Sequence, residues 1–101
     1  MKLFAQKLST YFRIRQQLEE ALKANEIQMY IQPQVTSDRQ IFGGEALVRW
    51  VHPEKGQILP GRFIPVLEQN GLISEVDKYI WDKACQQLKA WKEIGREDMY
   101  I

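Results

Sequence analysis

The chain has 101 residues, about one domain by the usual size relation. Its 14 Lys+Arg against 13 Asp+Glu leave a net charge of +1, which argues against a polybasic protein that binds nucleic-acid polymers or membrane surfaces. A hydrophobic fraction of 45% with 27% charged residues is a globular composition and excludes a disordered chain.

No apolar run approaches the roughly 18–20 residues needed to cross a bilayer, and the start, Met1 to Lys7, breaks up too early for a signal-peptide core. The single cysteine, Cys85, excludes an internal disulfide and a cysteine-based zinc site, so a reduced, cytoplasmic setting is expected.

The first element is an amphipathic helix from Leu3 to about Ala24, with apolar residues at Phe4, Leu8, Tyr11, Leu18 and Leu22. Arg15 interrupts this stripe, while Ile14 and Ala21 widen it. Packing onto the domain and pairing as a coiled-coil stalk fit the pattern equally. Residues 1–24 are accordingly set apart from residues 25–101 as a linker or packing helix, with Asn25 as its stop.

Two strands follow. Ile27 to Val35 is rich in β-branched and aromatic residues, Thr36 to Gln40 is a polar turn, and Ile41 to Trp50 is the second strand. A connection this short predicts an antiparallel hairpin, because a parallel pair needs a longer crossover. Alternation places Ile41, Gly43, Glu45, Leu47 and Arg49 on one face of the second strand, and Phe42, Ala46, Val48 and Trp50 on the other. In the first strand Tyr30, Gln32 and Gln34 fall together. Each strand thus carries one apolar face and one with polar groups.

Val51 to about Ile73 reads as a loop and a short helix with Pro65 in its first turn and Asn70-Gly71 as its stop. The next helix is expected to begin at a Ser74 N-cap, with Asp77 completing a capping box, and to end at Gly95. Val76, Ile80, Ala84 and Leu88, flanked by Trp81, Cys85 and Trp91, are its expected buried stripe. Met99-Tyr100-Ile101 starts a further strand. The order strand–strand–helix–strand predicts an α/β sheet whose next strand runs parallel to the second.

Gln32, Glu45 and Arg49 form the informative constellation. A carboxylate on the inner face of a sheet needs a partner, and a metal or an arginine is the usual one. A Glu45–Arg49 ion pair on a solvated face is the plainer alternative. His52, in a turn beside Pro53 with no second His or Cys nearby, reads as structural. Cys85 reads as a small buried hydrophobe, and Trp50, Trp81 and Trp91 as core.

The word Gly43-Gly44-Glu45-Ala46-Leu47-Val48-Arg49-Trp50 resembles the signature of the EAL-domain family, phosphodiesterases that hydrolyse cyclic di-GMP. Tyr30-Ile31-Gln32-Pro33-Gln34-Val35 is similar to the family's first strand, and Arg49-Trp50-Val51-His52-Pro53 with Gly56 to its next segment. Pro60 to Pro65, Glu68 to Ile73 and Cys85 to Trp91 resemble the helices that follow. The resemblance implies a modified TIM (β/α)8 barrel with an antiparallel first strand, covered here as far as the start of its third strand. Such a barrel takes about 250 residues.

By the same resemblance, Glu45 would be a ligand to a catalytic Mg²⁺ or Mn²⁺, Arg49 would hold a phosphate of the dinucleotide, and Gln32 and Leu47 would contact it. The family's remaining metal ligands have no counterpart among these residues. One carboxylate does not hold a metal pair, since hard divalent cations take about six oxygen ligands. The 101 residues alone are therefore expected to be inactive. The alternative function is a catalytically dead module that associates with partners or with itself as a homodimer through exposed sheet and helix surfaces.

Overall fold

The computed structural model describes residues 2–101, with side chains from residue 5 onward; the expected contact of Phe4 lies outside the described side chains. The elements are α1 (Lys2–Lys23), β1 (Ile27–Val35), β2 (Ile41–His52), β3 (Gly56–Ile58), α2 (Pro60–Gln69) and α3 (Ile73–Glu93). All three helices stop in the same way. Asn25, Gly71 and Gly95 adopt positive φ (57°, 67° and 85°). In each case the next amide reaches back to a carbonyl of the last turn: Glu26 to Ala21 at 2.9 Å, Leu72 to Leu67 at 2.8 Å, Arg96 to Trp91 at 2.8 Å. This is the Schellman closure, which satisfies carbonyls the helix leaves unpaired.

The strands form one antiparallel sheet in the order β1-β2-β3. The hairpin expected from the turn length is present: β1 pairs with β2 from Ile27↔Trp50 to Val35↔Ile41. Thr36 and Gln40 close the turn through a 2.9 Å backbone bond, with Arg39 at φ 64°. Tyr100 makes a parallel bridge to Gly43, so the segment after α3 does run alongside β2.

Four expectations are corrected. The segment after Trp50 is no simple loop. β2 continues to His52 and turns into β3, with the His52 imidazole Nδ1 accepting from the amides of Glu54 and Lys55, both at 3.1 Å. That contact gives His52 a turn-stabilising role. Second, α2 begins at Pro60, leaving Pro65 inside the helix. Leu59, restricted to extended backbone by the proline after it, sits at φ −70°, ψ 145°, and Pro60 takes the first helical position, where its missing N–H costs nothing.

Third, α3 starts at Ile73, so Ser74 is already inside it, and the cap residue Leu72 makes no side-chain bond. Leu72 is buried to 2% exposure. Burying a leucine is worth about 1.5–3 kcal/mol against about 1 kcal/mol for a good cap, so packing sets the boundary. Fourth, only Val76 of the expected α3 stripe is fully buried; Ile80 is partly buried, Leu88 is exposed, Trp81 is 75% exposed and Cys85 is exposed. Beyond its first turns no residue of α3 is fully buried, and Ala84 and Trp91 are only half-buried.

The core is small: Leu18 and Ala21 from α1, Ile27 from β1, Phe63 and Leu67 from α2, then Leu72 and Val76. The second half of α1 therefore packs on the sheet and α2, while Leu8 and Phe12 in its first half stay exposed. The described chain extends 60 × 24 × 24 Å, and its radius of gyration of 17.1 Å exceeds the ~13 Å of a compact chain of this length.

Candidate functional site

The register of the hairpin decides which polar side chains meet. Gln32 lies directly across from Glu45, Tyr30 from Leu47, and Gln28 from Arg49. Directly opposed residues of an antiparallel pair share a face, with Cβ atoms about 4.5–5.5 Å apart. Gln32, Glu45, Leu47 and Arg49 thus occupy one face together, and Gln28 and Tyr30 join them. Gln28 was not singled out from the sequence, although two further steps of two back from Gln32, through Tyr30, reach it.

Glu45 and Gln32 are exposed, while Leu47 and Arg49 are half-buried. Among the described residues the Glu45 carboxylate has neither an ion pair nor a hydrogen bond within the protein. The Glu45–Arg49 pair does not form, and strand geometry gives the reason: four residues at about 3.4 Å each separate them by roughly 13 Å. The Arg49 guanidinium instead donates to the Val48 carbonyl at 2.9 Å. The face consequently presents one free carboxylate and one guanidinium with spare donors, spaced too far apart to neutralise each other.

The backbone behind this face is set by Gly43 and Gly44, both buried. A Cβ on Gly44 would overlap the Ile31 side chain, and one on Gly43 would overlap the Tyr100 carbonyl. That carbonyl accepts the Gly44 amide at 2.9 Å. A side chain at Gly43 would therefore push the Tyr100 segment away from the start of the Glu45 strand, and one at Gly44 would press on β1.

Arg96 fastens the same segment, and the sequence reading missed it. Its guanidinium donates to Asp98 at 3.0 and 3.1 Å and to the Ile41 carbonyl at 3.1 Å. The Asp98 carboxyl is held below the usual aspartate range by that hydrogen bond, and Arg96 is raised in turn. Phe42 and Tyr100 pack against each other with ring centroids 5.5 Å apart and planes tilted by 42°. Toward the other end of β2, the Trp50 indole donates to Glu26 at 3.0 Å and packs edge-on against Phe63 at 5.5 Å. Trp50 is thus the tryptophan that serves the core as expected, whereas Trp81 does not.

A divalent metal is implied by the resemblance, and among the described residues of β1 and β2 Glu45 is the one carboxylate on the polar face. No group of three or more His, Cys, Asp or Glu side chains suited to a metal occurs among the described residues. The described residues thus supply one ligand of about six and do not by themselves fit the ion.

The EAL domain family model matches residues 15–100. The chain belongs to the EAL domain family. It is 38% identical over 85 residues to the bifunctional diguanylate cyclase/cyclic di-GMP phosphodiesterase MucR of Pseudomonas aeruginosa, covering 83% of this chain and 12% of that protein. It is 32% identical over 90 residues to the cyclic di-GMP phosphodiesterase NbdA of the same organism, covering 88% and 12%.

Among solved structures, the PaMucR phosphodiesterase in complex with c-di-GMP is similar at a TM-score of 0.77 and 35% identity, over 86% of this chain and 36% of that one. The EAL enzyme Bd1971 in its cGMP-bound form is similar at 0.65 and 26% identity, over 94% and 28%. The chain therefore spans little more than a third of the most extensively matched of these relatives. Its three helices and antiparallel three-stranded sheet match EAL structures, and EAL domains are generally metal-dependent.

Proposed function

We propose that this chain is the opening portion of a cyclic di-GMP phosphodiesterase domain. In this reading it supplies the first two strands of a (β/α)8 barrel with an antiparallel first strand, together with the opening of the third. The observation that carries the reading is the register that gathers Gln32, Glu45, Leu47 and Arg49 on one face of β1 and β2. The antiparallel hairpin, the parallel Tyr100 bridge and the likeness to a c-di-GMP-bound phosphodiesterase support it.

Each residue then has a chemical task. Arg49 offers a planar fork of donors to a phosphate of the dinucleotide. Leu47 gives an apolar surface beside it, and the Gln32 amide can donate and accept toward the nucleotide. Glu45 would contribute one oxygen ligand to Mg²⁺ or Mn²⁺, whose chemistry in such sites is to activate water and polarise the phosphate. The remaining ligands must come from residues other than these, so the 101-residue chain alone is inactive. α1 acts as the helix that leads into the domain.

The test is a chimera in which residues 15–100 replace the matching segment of the MucR phosphodiesterase domain. It is expected to hydrolyse cyclic di-GMP, and Glu45→Gln in the chimera to lose turnover by about 10²-fold or more. A folded chimera without activity overturns the reading. Titrating the isolated chain with cyclic di-GMP in Mg²⁺ and again in EDTA is expected to show no metal-dependent binding.

A second reading is favoured by one observation: Phe12 (59%), Trp81 (75%) and Ile94 (73%) are large apolar side chains left in solvent. In that reading the chain is a self-associating module without activity. Sedimentation of a monomer at micromolar concentration would discard it.

A further inference from the structure

We propose that a cleft between α1, the β2–β3 hairpin and α2 binds a small amphipathic carboxylate, an aryl or medium-chain carboxylic acid anion. The apolar part enters the cleft and the carboxylate rests between Lys55 and Arg62. The proposal is independent of the phosphodiesterase reading. Trp50, which lines the cleft, projects from the face of β2 opposite to Glu45, Leu47 and Arg49.

The cleft holds about 180 Å³. An apolar cavity of about 150 Å³ accepts a molecule the size of benzene, so one ring or the alkyl tail of a medium-chain acid fits this open cleft and a nucleotide does not. Its walls are Ile14 and Leu18 of α1, Ile58 of β3 and Phe63 of α2, with Leu18 and Phe63 each only 4% exposed. Apart from Gln17, Lys55 and Arg62 the lining is apolar, so an apolar group gains van der Waals contact on several sides.

Charge sets the choice of head group. Lys55 and Arg62 stand at the cleft, both exposed, and no acidic side chain lines it. The ion pairs among the described residues involve only Arg15 and Arg96, so neither of these two cations has a carboxylate within 4.0 Å. The same two residues also border an adjoining groove with Gln57 and Leu59. Two unpaired cations between two apolar surfaces select an anion that carries an apolar tail. An uncharged or cationic amphiphile gains only half of that complementarity or is repelled.

The experiment titrates the ¹⁵N-labelled 101-residue chain with sodium octanoate, octan-1-ol and octylammonium, following amide shifts. Octanoate is expected to give saturable shifts centred on Ile14, Ile58 and Phe63, to bind tighter than octanol, and octanol tighter than octylammonium. The surface double variant Lys55→Gln/Arg62→Gln, whose side chains are exposed and leave the core intact, is expected to weaken octanoate about five- to thirtyfold while octanol is unchanged. Shifts that never saturate, shifts centred on Trp81 and Ile94, equal binding of octylammonium, or an unaltered octanoate affinity in the double variant would each overturn the proposal.

Discussion

Replacing Phe63 by Ala tests where the stability of this chain resides. Phe63 is 4% exposed and packs edge-on against Trp50 with centroids 5.5 Å apart, between Leu18, Ile27 and Leu67. Truncating a buried phenylalanine costs about 3–5 kcal/mol through lost transfer energy and the cavity left behind. A domain of this size has about 5–15 kcal/mol in all, and the seven buried side chains among the described residues place this one toward the low end.

With a urea slope of about 1.5 kcal/mol per molar, the midpoint should fall by about 2–3 M, or the folded baseline should disappear. Trp81→Ala removes a larger ring that is 75% exposed and should move the midpoint by no more than about 0.3 M, the equivalent of ~0.5 kcal/mol. Urea unfolding followed by far-ultraviolet circular dichroism reads both variants. If Trp81→Ala proves as damaging as Phe63→Ala, α3 packs on its outer face and the core assigned to α1, β1 and α2 is wrong. The conservative Phe63→Leu should fall between the two.

Gly43→Val should break the bridge to Tyr100 while leaving β1 paired with β2, since valine suits a strand; exchange of the Gly44 amide, which donates to Tyr100, should quicken about tenfold or more, and unchanged protection would refute the overlap argument. Arg96→Ala should raise the titration midpoint of the Asp98 carboxyl in a carbon-detected NMR titration, and no movement would contradict the assigned partner. Because Asp98 is depressed in the folded state, the pair stabilises the fold above the ordinary aspartate range. Its contribution is lost as pH falls through the lowered value, so the variant should lack that part of the acid sensitivity. Cys85 should react with a thiol reagent in the native chain without denaturant, and a requirement for urea would place it in the core after all.

Much of the candidate site was legible because strands obey a period of two. Once Ile27 to Val35 and Ile41 to Trp50 read as strands joined by a short polar turn, the grouping of Glu45, Leu47 and Arg49 followed from alternation alone. The pairing of Gln32 with Glu45 did not follow, because register depends on where the turn closes, and Arg39 at positive φ with a shift between Gln34 and Val35 fixes that point. The same period, measured in ångströms, removes the Glu45–Arg49 ion pair that a four-residue spacing suggests by analogy with helices.

The sequence by itself determined the helix stops at Asn25, Gly71 and Gly95, the antiparallel hairpin and the family signature, since each rests on local backbone preference or contiguous residues. Tertiary structure alone decided which apolar residues are buried. Val76 and Trp81 lie on the same helix at positions that hydropathy treats alike, yet one is 2% and the other 75% exposed. An apolar stripe states that a helix can bury a face. Burial itself needs an opposing layer, and of α3 only the first turns, with Ile73, Val76, Tyr79 and Ile80, reach the buried cluster.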